Sequence, residues 1–108
     1  MDTQQIYSMI AAELGITHRQ VQASVELIEE GNTIPFIARY RKERTGELDE
    51  EVLRAIEERY QYMVQLYKRK EEVIRLIDEQ GKLTDELTQK IMQATKLQEV
   101  EDLYRPFR

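Results

Sequence analysis

The sequence predicts an all-α fold of about five helices: three short helices and a C-terminal hairpin helix packed around one long central helix. Two observations carry this. The stretch from Leu48 to Gln80 runs 33 residues without Gly or Pro and repeats its apolar residues at helical spacing. Around it, shorter apolar-periodic segments start at side chains suited to capping and stop at Gly or Pro.

Residues 2–14 read as the first helix. Asp2 or Thr3 caps it, Ile6, Met9, Ile10 and Leu14 form its apolar face, and Gly15 ends it. Thr17 followed by Gln20 is a capping-box pattern for the second helix. Its apolar face is Val21, Val25 and Ile28, flanked by Ala23 and Leu27, and Gly31 stops it. Asn32 and Thr33 open a third helix with Pro35 in its first turn, where the missing amide proton costs nothing. Ile34, Phe36, Ile37 and Tyr40 supply its apolar side, and the helix runs to Thr45-Gly46.

Asp49 is the expected cap of the long helix. Leu53, Ile56, Tyr60, Met63, Tyr67, Ile74 and Ile77 alternate in threes and fours along it, interrupted only by Lys70. A second row, including Val52, Tyr62, Leu66, Val73 and Leu76, widens the band to roughly 160° at about 100° per residue. At about 1.5 Å per residue the helix would span roughly 45–50 Å. A compact domain of this length is only about 35 Å across, so a second copy or further protein is expected to cover the excess. Gly81 closes the helix, and Thr84 caps a fifth, with Leu87, Ile91 and Ala94 as its stripe. Thr95 and Gln98 mark a last short helical turn with Leu97, Val100, Leu103 and Tyr104 as its apolar face, ended by Pro106. Residues 1–47 thus form a helical cluster, and 48–108 a long helix with a return hairpin.

Charged residues make up 34% of the chain, which leaves material for a modest core only. The net charge of -5 excludes a general nucleic-acid glue. The absence of Cys excludes disulfides and thiolate chemistry. No apolar run approaches the roughly 20 residues of a membrane span, so no membrane partner is expected and the chain reads as cytoplasmic. Charge is uneven. Residues 32–46 carry Arg39, Arg41, Lys42 and Arg44 against Glu43 alone, the one concentrated positive segment.

Those four cations have two readings. They are candidate phosphate contacts, with Tyr40 available for stacking. Alternatively, Arg39 pairs with Glu43 while Arg41 and Arg44 bridge to Glu47, Asp49, Glu50 and Glu51, leaving Tyr40 in the core. His18, the sole histidine, is expected to face solvent, and no second His or Cys can join it around a metal. The adjacent carboxylate pairs point about 100° apart on a helix and cannot converge on one atom. No catalytic constellation, metal site or cofactor motif is visible. Tyr62, Leu66, Val73, Leu76 and Phe107 are the candidate interface residues, through which the long helix would form a homodimer or meet another protein.

The run Asn32 to Asp49, NTIPFIARYRKERTGELD, with the following EEVLRAIEERYQY, closely resembles the amino-terminal region of the bacterial Tex family of transcription accessory proteins. The later EQGKLTDEL and TKLQEVEDLYRPFR segments are similar to the same region continued. The resemblance implies a helical, non-enzymatic scaffold with helix-turn-helix-like character in residues 1–47. It implies a fragment of a longer cytoplasmic protein that binds RNA or DNA through a separate OB-fold module and works with the transcription or translation machinery. It also implies weak or no nucleic-acid binding by the fragment itself. Family members are similar in core architecture to a eukaryotic transcription elongation factor.

Overall fold

The computed structural model describes residues 2–108 and consists of helices joined by short turns. They fall into two compact units, one ending at Met63 and one spanning Val64–Arg108.

The first unit begins with α1 (Thr3–Leu14), capped where Asp2 accepts from the Gln5 N–H at 2.9 Å. Its buried face is Ile6, Tyr7, Ile10 and Ala11, while Met9 is 39% exposed. The predicted face was therefore rotated by part of a turn, because the amphipathic ring of Tyr7 outcompetes Met9 for the interior. α2 (His18–Glu29) carries the predicted capping box. The Gln20 N–H donates to Thr17 Oγ1, and the Thr17 N–H donates to Gln20 Oε1, both at 3.0 Å. Val21, Ser24, Val25 and Leu27 are buried against α1 and its neighbours. Ser24 tolerates burial because its hydroxyl donates to the Gln20 carbonyl at 2.7 Å.

The third predicted helix is two. α3 (Ile34–Tyr40) stops at Arg41, whose φ of -128° and ψ of 32° are not helical, and α4 (Lys42–Thr45) restarts the coil. No Gly or Pro marks this break. It is held by polar bonds instead. Arg41 Nη1 donates to the Tyr40 carbonyl at 2.9 Å, and buried Thr45 accepts the Leu48 N–H at 3.3 Å. Only Ile37 of α3 is fully buried. α2 packs against both α3 and α4. The chain then enters α5 (Glu50–Glu79), a single helix of 30 residues capped by Asp49, which accepts the Val52 N–H at 3.0 Å. Its first part buries Leu53, Ile56 and Met63. Tyr60 stacks on Tyr7 at 5.9 Å between ring centroids, and Arg59 donates twice to Glu13 of α1, at 2.8 and 3.0 Å.

In the second unit, α5 continues with Leu66, Tyr67, Lys70, Val73 and Ile77 buried. α6 (Asp85–Gln93) starts at Thr84, which accepts the Leu87 N–H at 3.1 Å, and buries Ile91. It returns along α5 as the predicted hairpin: Lys70 and Met92 lie equally far either side of Gly81, and Lys70 Nζ donates to the Met92 carbonyl at 2.7 Å. The last turn predicted from Thr95 is a full helix, α7 (Leu97–Tyr104), followed by a 3-10 turn at Arg105–Phe107. α6 packs on α7. Among the described residues seven helices thus replace five, because Arg41 divides one and the tail gains another.

α7 is fastened to α5 by a bidentate ion pair. Arg69 Nε and Nη2 donate to Glu101 Oε2 and Oε1 at 2.6 and 2.9 Å. The Arg69 guanidinium also sits 5.3 Å from the Tyr104 ring centroid and bonds Glu72. The hydrogen bond from Arg69 holds the Glu101 carboxyl below its ordinary value of 4.5. A depressed carboxyl contributes stability that is present above the unfolded value and lost as pH falls through the folded one. Glu101→Gln is therefore expected to cost about 1–2 kcal/mol at pH 7. The gap between wild type and variant in thermal melts should shrink as pH falls below 4.5 and close once pH is below the lowered folded value.

Candidate nucleic-acid interface

Arg39, Arg41, Lys42 and Arg44 all fall on α3, its break and α4, and none forms an ion pair among the described residues. The bridges predicted to neutralise them are not made. The break at Arg41 puts Arg39 and Glu43 on different helices, so the four-residue neighbour relation no longer applies. Asp49 is occupied as the α5 cap, and Glu50 pairs with Arg54 at 3.1 Å.

Tyr40 is not in the core. It is 54% exposed. Phe36 lies beside it at 5.2 Å between ring centroids, tilted by 46°. The Arg39 guanidinium is 5.4 Å from the Tyr40 centroid, and that of Arg41 is 4.8 Å from the Phe36 centroid. Two aromatic rings and two guanidinium planes therefore sit together at the surface, each cation within stacking range of a ring. Phe36 and Tyr40 share a face because they are four residues apart on α3. Arg41 joins them because the break swings its side chain back over the helix end.

Beside α4 lies a cleft of about 380 Å³ lined by Arg19, Gln20, Ala23, Glu43, Arg44 and Gly46. Gln20 closes its floor. While Oε1 serves the α2 capping box, Nε2 donates to the Thr45 carbonyl at 3.1 Å and the Gly46 carbonyl at 3.4 Å. Arg19 and Arg44 are exposed at the cleft and unpaired among the described residues. Arg19 escaped the sequence reading because its companion is far away in the chain; a basic residue just inside a capping box was the only signal.

The remaining sequence candidates have other surroundings. His18 does not simply face solvent: its ring stands edge-on to Tyr7 at 5.8 Å, beside the Tyr7–Tyr60 stack. Burial raises the Tyr7 and Tyr60 hydroxyls above their ordinary pKa, with Glu29 adding to both. Leu66 and Val73, expected at an interface, are closed inside the second unit, at 4% and 0% exposure. Tyr62, Leu76 and Phe107 are half-buried. Tyr62 carries the Arg59 guanidinium 5.4 Å from its centroid, and Gln80 Nε2 donates to the Phe107 carbonyl at 2.6 Å. No helix is long and apolar enough to cross a membrane among the described residues.

The family model described as the Tex-like protein N-terminal domain matches residues 4–78. A relative from Bacillus subtilis (strain 168), the uncharacterized protein YdcI, is 60% identical over 99 residues, covering 92% of this chain and 14% of the relative. The transcriptional accessory protein Tex of Neisseria gonorrhoeae is 47% identical over 103 residues, covering 95% of this chain and 14% of that protein. The S1 RNA-binding domain-containing protein 1 of Homo sapiens is 30% identical over 84 residues, covering 78% of this chain and 8% of that protein. The chain thus spans about one seventh of the bacterial relatives' length.

Proposed function

This chain belongs to the Tex family, and from that premise we propose that it is the amino-terminal helical module of a transcription accessory protein, contacting nucleic acid through α3 and α4. One observation carries the reading: Arg39, Arg41, Lys42 and Arg44 are left without acidic partners, and the first two lie over a half-buried Phe36 and an exposed Tyr40. Unpaired cations release counterions when they meet phosphate, and an exposed ring offers a stacking surface that tolerates any base. The cleft beside Arg44 adds one more cation, Arg19. The net charge of -5 opposes binding elsewhere on the chain, so the contact is local and weak, and the parent protein adds affinity through other parts. Such a protein works in the cytoplasm beside the transcription or translation machinery and is not an enzyme by virtue of this module. A purely protein-binding role through the long helix is less well supported, since Leu66 and Val73 are already covered.

The test is an anisotropy titration of this chain with labelled single-stranded RNA, single-stranded DNA and duplex at about 50 mM salt. Binding in the range of roughly 10⁻⁴–10⁻⁶ M that weakens with salt is the expected result. Tyr40→Ala should weaken it by about 5- to 150-fold, the equivalent of about 1–3 kcal/mol for one stacked base. No binding at low salt, or unchanged binding when Arg39, Arg41, Lys42 and Arg44 are all replaced by Ala, overturns the reading.

A further inference from the structure

A second concavity in the first unit has the opposite chemistry. Between α2 and α5 lies a groove of about 150 Å³, lined by Val25, Ile28, Glu29, Glu57, Tyr60 and Gln61. Its floor is apolar. Val25 is 2% exposed, and the Ile28 side chain and Tyr60 ring are half-buried beside it. Glu29 stands on the α2 side and Glu57 on the α5 side, and neither forms an ion pair among the described residues. The neighbouring cation that could neutralise them, Arg59, is committed to Glu13 at 2.8 Å. The field of Glu29 reaches the floor, where it adds to burial in raising the Tyr60 hydroxyl. Glu26, Glu30 and Glu58 extend the acidic character along the same two helices.

We infer that this groove docks a basic amphipathic segment of a partner protein, seating one aliphatic or Met side chain over Val25, Ile28 and Tyr60 with Lys or Arg on both sides. The volume admits a single such side chain. An apolar anchor alone would leave two facing carboxylates partly desolvated and unpaired, which is unfavourable. A nucleic-acid strand is repelled by the same carboxylates. An acidic or neutral segment gains only the anchor. A cationic flank on each side of the anchor satisfies the floor and both walls together, and gives the encounter electrostatic steering. This surface is separate from the Phe36–Tyr40 cluster, so its fate does not depend on nucleic-acid binding there.

The probe is a synthetic helix-forming peptide with two Leu at four-residue spacing flanked by Lys. One control peptide carries Ser for both Leu, and a second carries Glu for every Lys. Binding is followed by fluorescence anisotropy and by backbone amide shifts of this chain. The expected result is binding of the first peptide alone, with shifts concentrated at residues 25–29 and 57–61. Glu29→Lys and Glu57→Lys should each weaken it about tenfold, as should raising salt from about 50 to 500 mM. Circular dichroism checks that both variants fold, and Glu29→Lys at its exposed site carries the test if Glu57→Lys does not. The proposal is overturned if the first peptide does not bind or the Ser control binds equally. It is also overturned if the shifts fall elsewhere, or if concentration alone moves the same amides, which would mean a second copy occupies the groove.

Discussion

Lys70→Glu is expected to unfold Val64–Arg108. Lys70 stands on the main apolar row of α5 at 1% exposure, its ammonium 2.7 Å from the Met92 carbonyl and 4.6 Å from the Tyr67 ring centroid. Burial holds its pKa below the ordinary 10.5, with Glu99 opposing that shift. A carboxylate in its place faces the carbonyl end of α6 and the π-face of a tyrosine, both negative. Leaving one buried charge uncompensated costs about 3–5 kcal/mol. That is comparable with the whole stability of a small unit, for which about 5 kcal/mol is common. Amide hydrogen exchange should show protection lost across residues 64–108.

Lys70→Met keeps the stem and gives up the donor, so it isolates the charge. Between the lowered folded value and 10.5 the unfolded chain binds a proton that the folded chain does not, so stability rises with pH. The free-energy gap between wild type and Lys70→Met should therefore move in favour of wild type as denaturation is repeated from pH 7 to 9.5. Tyr67 is raised above 10.0 by burial, so it keeps its proton over this range in both proteins. A flat gap would mean that Lys70 is as well solvated as a surface lysine.

Gly46→Ala is expected to cost about 2–3 kcal/mol, adding about 1–2 for a side chain in the left-handed region to the loss of one hydrogen bond. Gly46 has a φ of 68°, and a Cβ built there would lie 2.7 Å from Gln20 Nε2. Gln20 has little freedom to retreat, because the same carboxamide caps α2 and holds the Thr45 and Gly46 carbonyls. Denaturant melts in a double-mutant cycle separate the two parts. In a Gln20→Ala background the steric share disappears and the backbone share stays. An equal penalty in both backgrounds would show that Gln20 moves aside freely.

The helices that could be read from sequence announced themselves by local rules. Thr17 with Gln20, Thr84 and Asp49 are short-range capping signals, and the row from Leu53 to Ile77 is a periodic one; all are realised. The break at Arg41 was illegible because it is held by a guanidinium–carbonyl bond and a buried threonine rather than by Gly or Pro. Tyr40 keeps its helical register with Phe36 on α3 and is exposed all the same, because α3 buries only Ile37 and turns the Phe36–Tyr40 side outward. The site suffered likewise. The four cations could be named, but whether acids silenced them depended on where α3 stopped. Lys70 was visible as an interruption of the apolar row. Its carbonyl partner, across the hairpin, was not.

The corner at Arg41 also limits what kind of strand the proposed contact can hold. Proteins that read paired bases commonly lay one unbroken helix along the wide channel of the duplex, several base edges at a time. α3 offers seven residues, about 10 Å of axis, before the chain turns, and α4 offers four. The bend directs Arg39 and Arg41 onto ring faces and away from a common line. Such a knuckle suits a base that has swung free of its pairing and lies against the exposed Tyr40 ring, with the guanidiniums beside it, and has little reach into a closed double helix.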